Sequence, residues 1–241
     1  MLKSFLPVFI SLLFYTAAAQ PYNNTAAAYY KKGIDFKNKN MFPEAMTAFK
    51  KAITLNNKYD SAYVEIGQID LRNNNPESAL TNFKKAITIN PEMTDAYIAL
   101  GKFYRDVKPN YDSAILFYKA AIKIDSTNKE SYYSLAWCYN AKTEYENAIP
   151  YGIKALEIDN SYRPAYSELG HAYRRAQKFA DAIVQFKRNI AVSPVDLPMY
   201  YAGLCYTELK DKEGALEQYE ALKKINERLA SSLMKTIDNM K

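Results

Sequence analysis

A single histidine, His171, and two cysteines, Cys138 and Cys205, are all the imidazole and thiol chemistry this 241-residue chain carries. One His cannot build a His-based metal site. A Ser/His/Asp triad would have to form around His171, in a helix-forming stretch with no sharp turn beside it to expose a nucleophile. The phosphate-cradling G-x-x-x-x-G-K-[ST], the dinucleotide G-x-G-x-x-G, the zinc-binding H-E-x-x-H and the calcium loop are all missing from the sequence. Carboxylates such as Glu65 and Asp70 lie near one another, but in no recognisable pocket motif. Only 7 residues are Gly, which argues against a turn-rich β fold. The expectation is a protein without catalytic residues, metal or cofactor.

What such residues need is a frame, and the frame is a repeat. Gly33, Gly67, Gly101, Ala136, Gly170 and Gly203 follow one another at steps of 34, 34, 35, 34 and 33 along the chain. An alanine follows each at position +12, or +13 once: Ala45, Ala79, Ala114, Ala148, Ala182 and Ala215. Four further on comes an aromatic in five cases, Phe49, Phe83, Tyr118, Phe186 and Tyr219, with Gly152 in the sixth. Tyr97, Leu100, Gly101 and Tyr104 lie at i, i+3, i+4 and i+7, one face of an amphipathic helix. Ala114, Tyr118 and Ala121 form the stripe of a second helix. The stretch 106–110, with Pro109, predicts the turn between them, and Pro43 and Pro76 predict the equivalent earlier turns. Glycine inside a helix costs about 0.5–1 kcal/mol relative to alanine. Five such costs in one register predict a facing helix too close for a Cβ, with the alanine completing the crossing and the aromatics packed around it.

These spacings resemble the tetratricopeptide repeat, W-x₂-L-G-x₂-Y…A-x₃-F…A…P, with Tyr in place of the leading Trp. The resemblance implies an all-α fold, a right-handed superhelical α-solenoid of six helix-turn-helix repeats. Their expected bounds are 26–59, 60–93, 94–128, 129–162, 163–195 and 196–229. Leu222, Ile225, Leu229, Leu233 and Ile237 continue an apolar helical stripe, read as a C-terminal capping helix over 230–241. Lys32 in the first repeat, Asp70 at the aromatic place of the second, and Ala136 with Gly152 in the fourth depart from the pattern. Pro150 beside Gly152 predicts a kink. Asp70 reads either as a buried acid or as the sign of a slight helix rotation that lets Leu71 fill the aromatic's place; the second is the expectation taken. Cys138 and Cys205 each stand two residues after the glycine position. Two repeats separate them, roughly 20 Å at 8–10 Å between neighbouring helices, too far for a disulfide. They are expected to be buried, reduced thiols.

In the family, the first helices of successive repeats line a concave groove that takes an extended peptide or a helix. The resemblance implies that the fifth, ninth and twelfth residues of each first helix face it. Here these are Val64, Gln68 and Leu71; Ile98, Lys102 and Arg105; Tyr133, Trp137 and Asn140; Ser167, His171 and Arg174, with Arg175 adjacent. The Lys and Asn clamp of some members is not carried over, since Tyr30 and Ile34 hold the matching places. Tyr133 and Trp137, one turn apart and flanked by Lys102, Arg105, His171, Arg174 and Arg175, are the expected binding centre. Exposed aromatics and arginines are enriched at binding hot spots. The opposing reading is that the rings cover the joint between repeats and the cations are solvated. The implied function is an interaction scaffold for an acidic or aromatic-bearing partner. The alternative is an accessory docking subunit of an envelope enzyme or secretion machine.

The chain opens MLKSFLPVFISLLFYTAAAQ, a Lys, a short apolar run and an A-x-A site. That order reads as a signal peptide over 1–19, followed by a linker over 20–25. It predicts a periplasmic or secreted protein with no membrane span once the segment is removed; an uncleaved anchor is the competing reading. The formal net charge is +6. Its charges are interleaved in sign, which favours acidic partners mildly and gives no ground for nucleic-acid binding.

Overall fold

The computed structural model describes residues 25–240; the predicted signal segment lies outside the described residues. Six helical hairpins and one further helix make up these residues, an all-α repeat. The hairpins pair α1 (Ala26–Asn38) with α2 (Phe42–Leu55), α3 (Asp60–Arg72) with α4 (Pro76–Ile89), and α5 (Thr94–Lys102) with α6 (Tyr111–Ile124). They continue with α7 (Lys129–Ala141) and α8 (Tyr145–Ile158), α9 (Arg163–Arg175) and α10 (Phe179–Val192), then α11 (Asp196–Glu208) and α12 (Lys212–Lys223). The last helix is α13 (Glu227–Asp238). Two compact units divide between Asn57 and Lys58, so the first hairpin stands as one unit and the remaining elements as the other.

The glycine register has a more specific cause than a close crossing of backbones. A Cβ built on Gly33 would lie 2.4 Å from Phe49, one on Gly67 2.5 Å from Phe83, and those on Gly101 and Gly170 2.6 Å from Tyr118 and Phe186. The aromatic ring of each second helix thus occupies the space a side chain would take, and all four rings are buried. The fourth repeat inverts the pair. Ala136 stands where the glycine would be, and Gly152 has given up the ring. In the sixth repeat it is Leu233 of α13, 2.4 Å from an added Cβ, that fills the place over Gly203.

The hairpin turns are tighter than the sequence suggests. Asn40, Asn74, Thr143, Gln177 and Lys210 sit in the left-handed region at φ 58–62°, which folds the chain back within a very short turn. Pro43 and Pro76 lie in the first turns of α2 and α4, where a missing N–H costs nothing. The third hairpin is different. Its extra residue is absorbed by a π-helical turn, Phe103–Val107, in which the Lys108 N–H reaches back to the Phe103 carbonyl at 3.0 Å. Asp106 and Val107 are therefore helical, not part of the predicted turn.

A second cross-hairpin pair links the aromatic three residues after the glycine to a second-helix partner. Tyr104 stacks on Phe117 at 5.6 Å, and Tyr139 on Tyr151 at 5.4 Å. In the second repeat the same pair is Asp70 and Asn82. Asp70 is buried, accepting hydrogen bonds from Ser78 Oγ at 2.6 Å and Asn82 Nδ2 at 2.9 Å. The expected rotation does not occur: the acid itself takes the aromatic's place, and a matched polar partner makes that tolerable. Leu71, next to it, packs at the edge of the core.

Both cysteines are free and buried, and burial pushes each thiol up to about 12. Helix α8 runs continuously through Pro150. The C-terminal stripe is not one helix, because Asn226 caps a new one, accepting from the Leu229 N–H at 3.1 Å. Leu222, Leu233 and Ile237 are buried together where α13 packs, whereas Ile225 in the break is exposed. No helix among the described residues is long and apolar enough to cross a membrane.

Candidate partner-binding face

From the second repeat onward, the twelfth residue of each first helix meets the sixth residue of the next. The first such rung is apolar, Leu71 and Ala99 at one core cluster. The second is Arg105, whose Nη1 donates to Ser134 Oγ at 3.2 Å while its guanidinium lies 5.5 Å from the Trp137 ring centroid. In the third, Asn140 Nδ2 donates to the Glu168 carbonyl at 2.9 Å and to its Oε2 at 3.0 Å. The fourth sets Arg174 over the Tyr201 ring at 4.9 Å. Successive first helices are thus tied side by side along one face.

Lys102, Arg105, Tyr133, Trp137, His171 and Arg174 all lie at these joints, half-buried, and Arg175 is exposed. The two halves of the face differ in charge. Lys102 pairs with Glu130 at 2.7 Å, and Asp106 takes Arg105 Nε at 2.7 Å and Nη2 at 2.8 Å. That two-pronged bond holds the Arg105 proton more tightly than usual, so this end is neutralised internally. Arg174 and Arg175 form no ion pair among the described residues, and Arg174 Nε is buried without a hydrogen-bond partner. Asn140 Oδ1 is a buried acceptor in the same condition.

The rings are fixed rather than free. Trp137 meets the edge of Tyr111 at 5.7 Å, and Tyr133 meets Tyr162 at 5.7 Å. His171 is wedged against Tyr201 at 4.5 Å and Phe186 at 5.5 Å. Burial, with Arg174 and Arg175 adding to it, brings the imidazole down to about 4, so it is neutral near pH 7. Glu168 is the opposite case: burial raises its carboxyl, against the pull of Asn140 and Arg105.

Sequence reasoning missed Ser134, Glu168 and Tyr201 because it followed only the fifth, ninth and twelfth positions. Their signal is a recurring separation, a little shorter than one repeat, from Arg105, Asn140 and Arg174 respectively; it is visible once the rungs are known. Val64 and Ile98, expected on the groove, are buried in the core.

The family profile for the tetratricopeptide repeat matches residues 64–129 and 167–229, and a second profile of the same description matches 117–149. The chain is a tetratricopeptide-repeat protein. Among solved repeat structures, YrrB, described as a tetratricopeptide-repeat protein with an unusual peptide-binding site, is 25% identical with a TM-score of 0.69. The match covers 78% of this chain and 98% of that one. The pilF protein of Pseudomonas aeruginosa is 14% identical at a TM-score of 0.75, covering 89% of this chain and 98% of its own. MamA is 23% identical at 0.60, over 70% and 92%. These two share the fold. No curated protein matches the sequence.

Proposed function

We propose that this chain is a non-catalytic scaffold that holds a protein or peptide along the first-helix face of repeats three to six. The observation that carries the reading is a pair of uncompensated guanidinium groups beside ordered rings. Arg174 is half-buried over the Tyr201 ring and Arg175 next to it is exposed, and among the described residues neither is paired with a carboxylate. Exposed cations beside aromatic rings are what a partner's acidic side chains would meet. The peptide-binding site in the description of YrrB supports the same reading. Because Asp106 holds Arg105 in a two-pronged bond and Lys102 is paired across its joint, the acidic part of the partner sits at Arg174 and Arg175, the end of the expected face that keeps its charge.

The test is co-purification of a partner with the full chain, then titration followed through Trp137, the only tryptophan. Binding shifts its emission, and Arg174→Ala and Trp137→Ala each cost about 1 kcal/mol or more. Lys102→Ala changes little. A partner held undiminished by the Arg174→Ala, Trp137→Ala double variant, with no weakening in salt, refutes this face. Export rests on the opening segment, Met1 to Gln20. N-terminal sequencing of the cell-derived protein is expected to begin at Gln20, and a retained Met1 in the membrane fraction favours the anchor.

A further inference from the structure

A second site, sharing no residue with the rungs, is built into the fourth repeat. Its origin is the departure of that repeat from the pattern. The stacked cross-hairpin pair is Tyr and Phe in the third repeat, Asp and Asn in the second, and Tyr with Gln185 and Gln218 in the fifth and sixth. Only in the fourth are both members tyrosine: Tyr139 and Tyr151 lie nearly parallel, 10° apart. Two hydroxyls are thereby brought to one place. Lys119, from the second helix of the preceding repeat, lines the same cleft as both rings, its ammonium 5.6 Å from the Tyr139 ring centroid, and the nearby tyrosines hold its proton more tightly. Beside them, Pro150 forms part of the wall contributed by α8. The result is a cleft of about 590 Å³ lined by Lys119, Tyr132, Tyr139, Asn147, Pro150, Tyr151 and Lys154.

Its chemistry is weighted toward hydrogen-bond donors. An ammonium offers only donors. Two ammonium groups, three phenols and the Asn147 amide line it; Lys154 also pairs with Glu157, one turn along α8, at 2.9 Å, an exposed i,i+3 contact within a single helix that is weak enough for a dianion to displace. A volume of this size suits a small organic molecule and exceeds what a bare inorganic anion fills. The parallel rings and the Pro150 ring supply apolar walls for the rest of it. Two cations match a dianion with three terminal oxygens better than a carboxylate. We propose that the cleft of the fourth repeat binds a ring-bearing phosphate monoester, its phosphate between Lys119 and Lys154 and its ring against Tyr139, Tyr151 and Pro150.

Calorimetric titration of the full chain tests this with three probes: 1-naphthyl phosphate, 1-naphthol and inorganic phosphate. The naphthyl phosphate is expected to bind at one site, about tenfold or more tighter than either fragment. Lys119→Ala with Lys154→Ala, both exposed positions, weakens it at least about tenfold, while Arg174→Ala leaves it unchanged. Tyr151→Phe, which keeps the stack and removes one hydroxyl, gives an intermediate loss. Circular dichroism confirms that each variant is folded. Equal binding of 1-naphthol would show an apolar groove without anion recognition and overturn the proposal. So would binding that survives the double lysine variant, binding that is lost with Arg174→Ala, or no binding of the phosphate ester.

Discussion

Gly170→Ala isolates the contact that sets the repeat. An added Cβ would lie 2.6 Å from Phe186 Cε1, 2.8 Å from Cδ1 and 2.9 Å from Cζ. The ring is fully buried, with His171 at 5.5 Å and Tyr201 at 5.9 Å from its centroid, so it cannot swing aside. Two effects oppose one another. Alanine is preferred to glycine inside a helix by about 0.5–1 kcal/mol, while overpacking a filled core costs typically about 1–3 kcal/mol. The clash wins, for a net loss on the order of 1–2 kcal/mol. Urea unfolding followed by far-UV circular dichroism reads it. A second arm pairs Gly170→Ala with Phe186→Leu. The double variant is expected to be less destabilised than the sum of the singles by about 1 kcal/mol, because the two sites share one space. The fourth repeat, with Ala136 and Gly152, is the natural form of that exchange. If Gly170→Ala raises stability by the propensity term alone, or if the two changes add, the ring is not what excludes the side chain.

Thr143 is β-branched at φ 62°, a conformation costing such residues roughly 1–2 kcal/mol; Thr143→Asn, copying Asn40 and Asn74, is expected to raise the urea midpoint, and Asn74→Thr to lower it. Leu233→Ala empties the place over Gly203 beneath α13 and should cost about 2–5 kcal/mol, with a lower melting temperature and increased self-association; an unchanged melt refutes the capping role of α13. His171 gives a pH signature. The unfolded chain takes up its proton near the ordinary 6.5 and the folded one only near 4, so the unfolded state binds more protons in between. Stability falls as pH drops from about 6.5 to 4 and is level for this group above that window. His171→Phe should flatten the slope there, and an unaltered slope excludes the buried, neutral imidazole.

That the chain is helical and built on a repeat is legible in the residues alone. Each repeat states its helices twice over, in the 3.6-residue spacing of apolar side chains and in the recurrence of Gly, Ala and aromatic at fixed intervals. A pattern repeated six times leaves little room for another assignment. The same register separates the two thiols, since it alone puts them too far apart to bond. Which atoms meet is another matter. The glycine and the aromatic that excludes its side chain lie on opposite arms of a hairpin, and nothing local tells that the ring, rather than the backbone, fills the space. Asp70 escapes a sequence reading for the same reason: its tolerance depends on Ser78 and Asn82, which only the folded hairpin brings to it. The extra residue of the third repeat is visible as a spacing of 13, but whether it lengthens a turn or widens a helix is settled by tertiary packing. The candidate face shows this division most clearly. Composition and register select Lys102, Arg105, Trp137 and Arg174 equally. Only the folded chain shows that Glu130, from the next first helix, and Asp106 neutralise Lys102 and Arg105 while Arg174 keeps a donor unpaired, because charge compensation is a matter of distance in space and not of spacing along the chain.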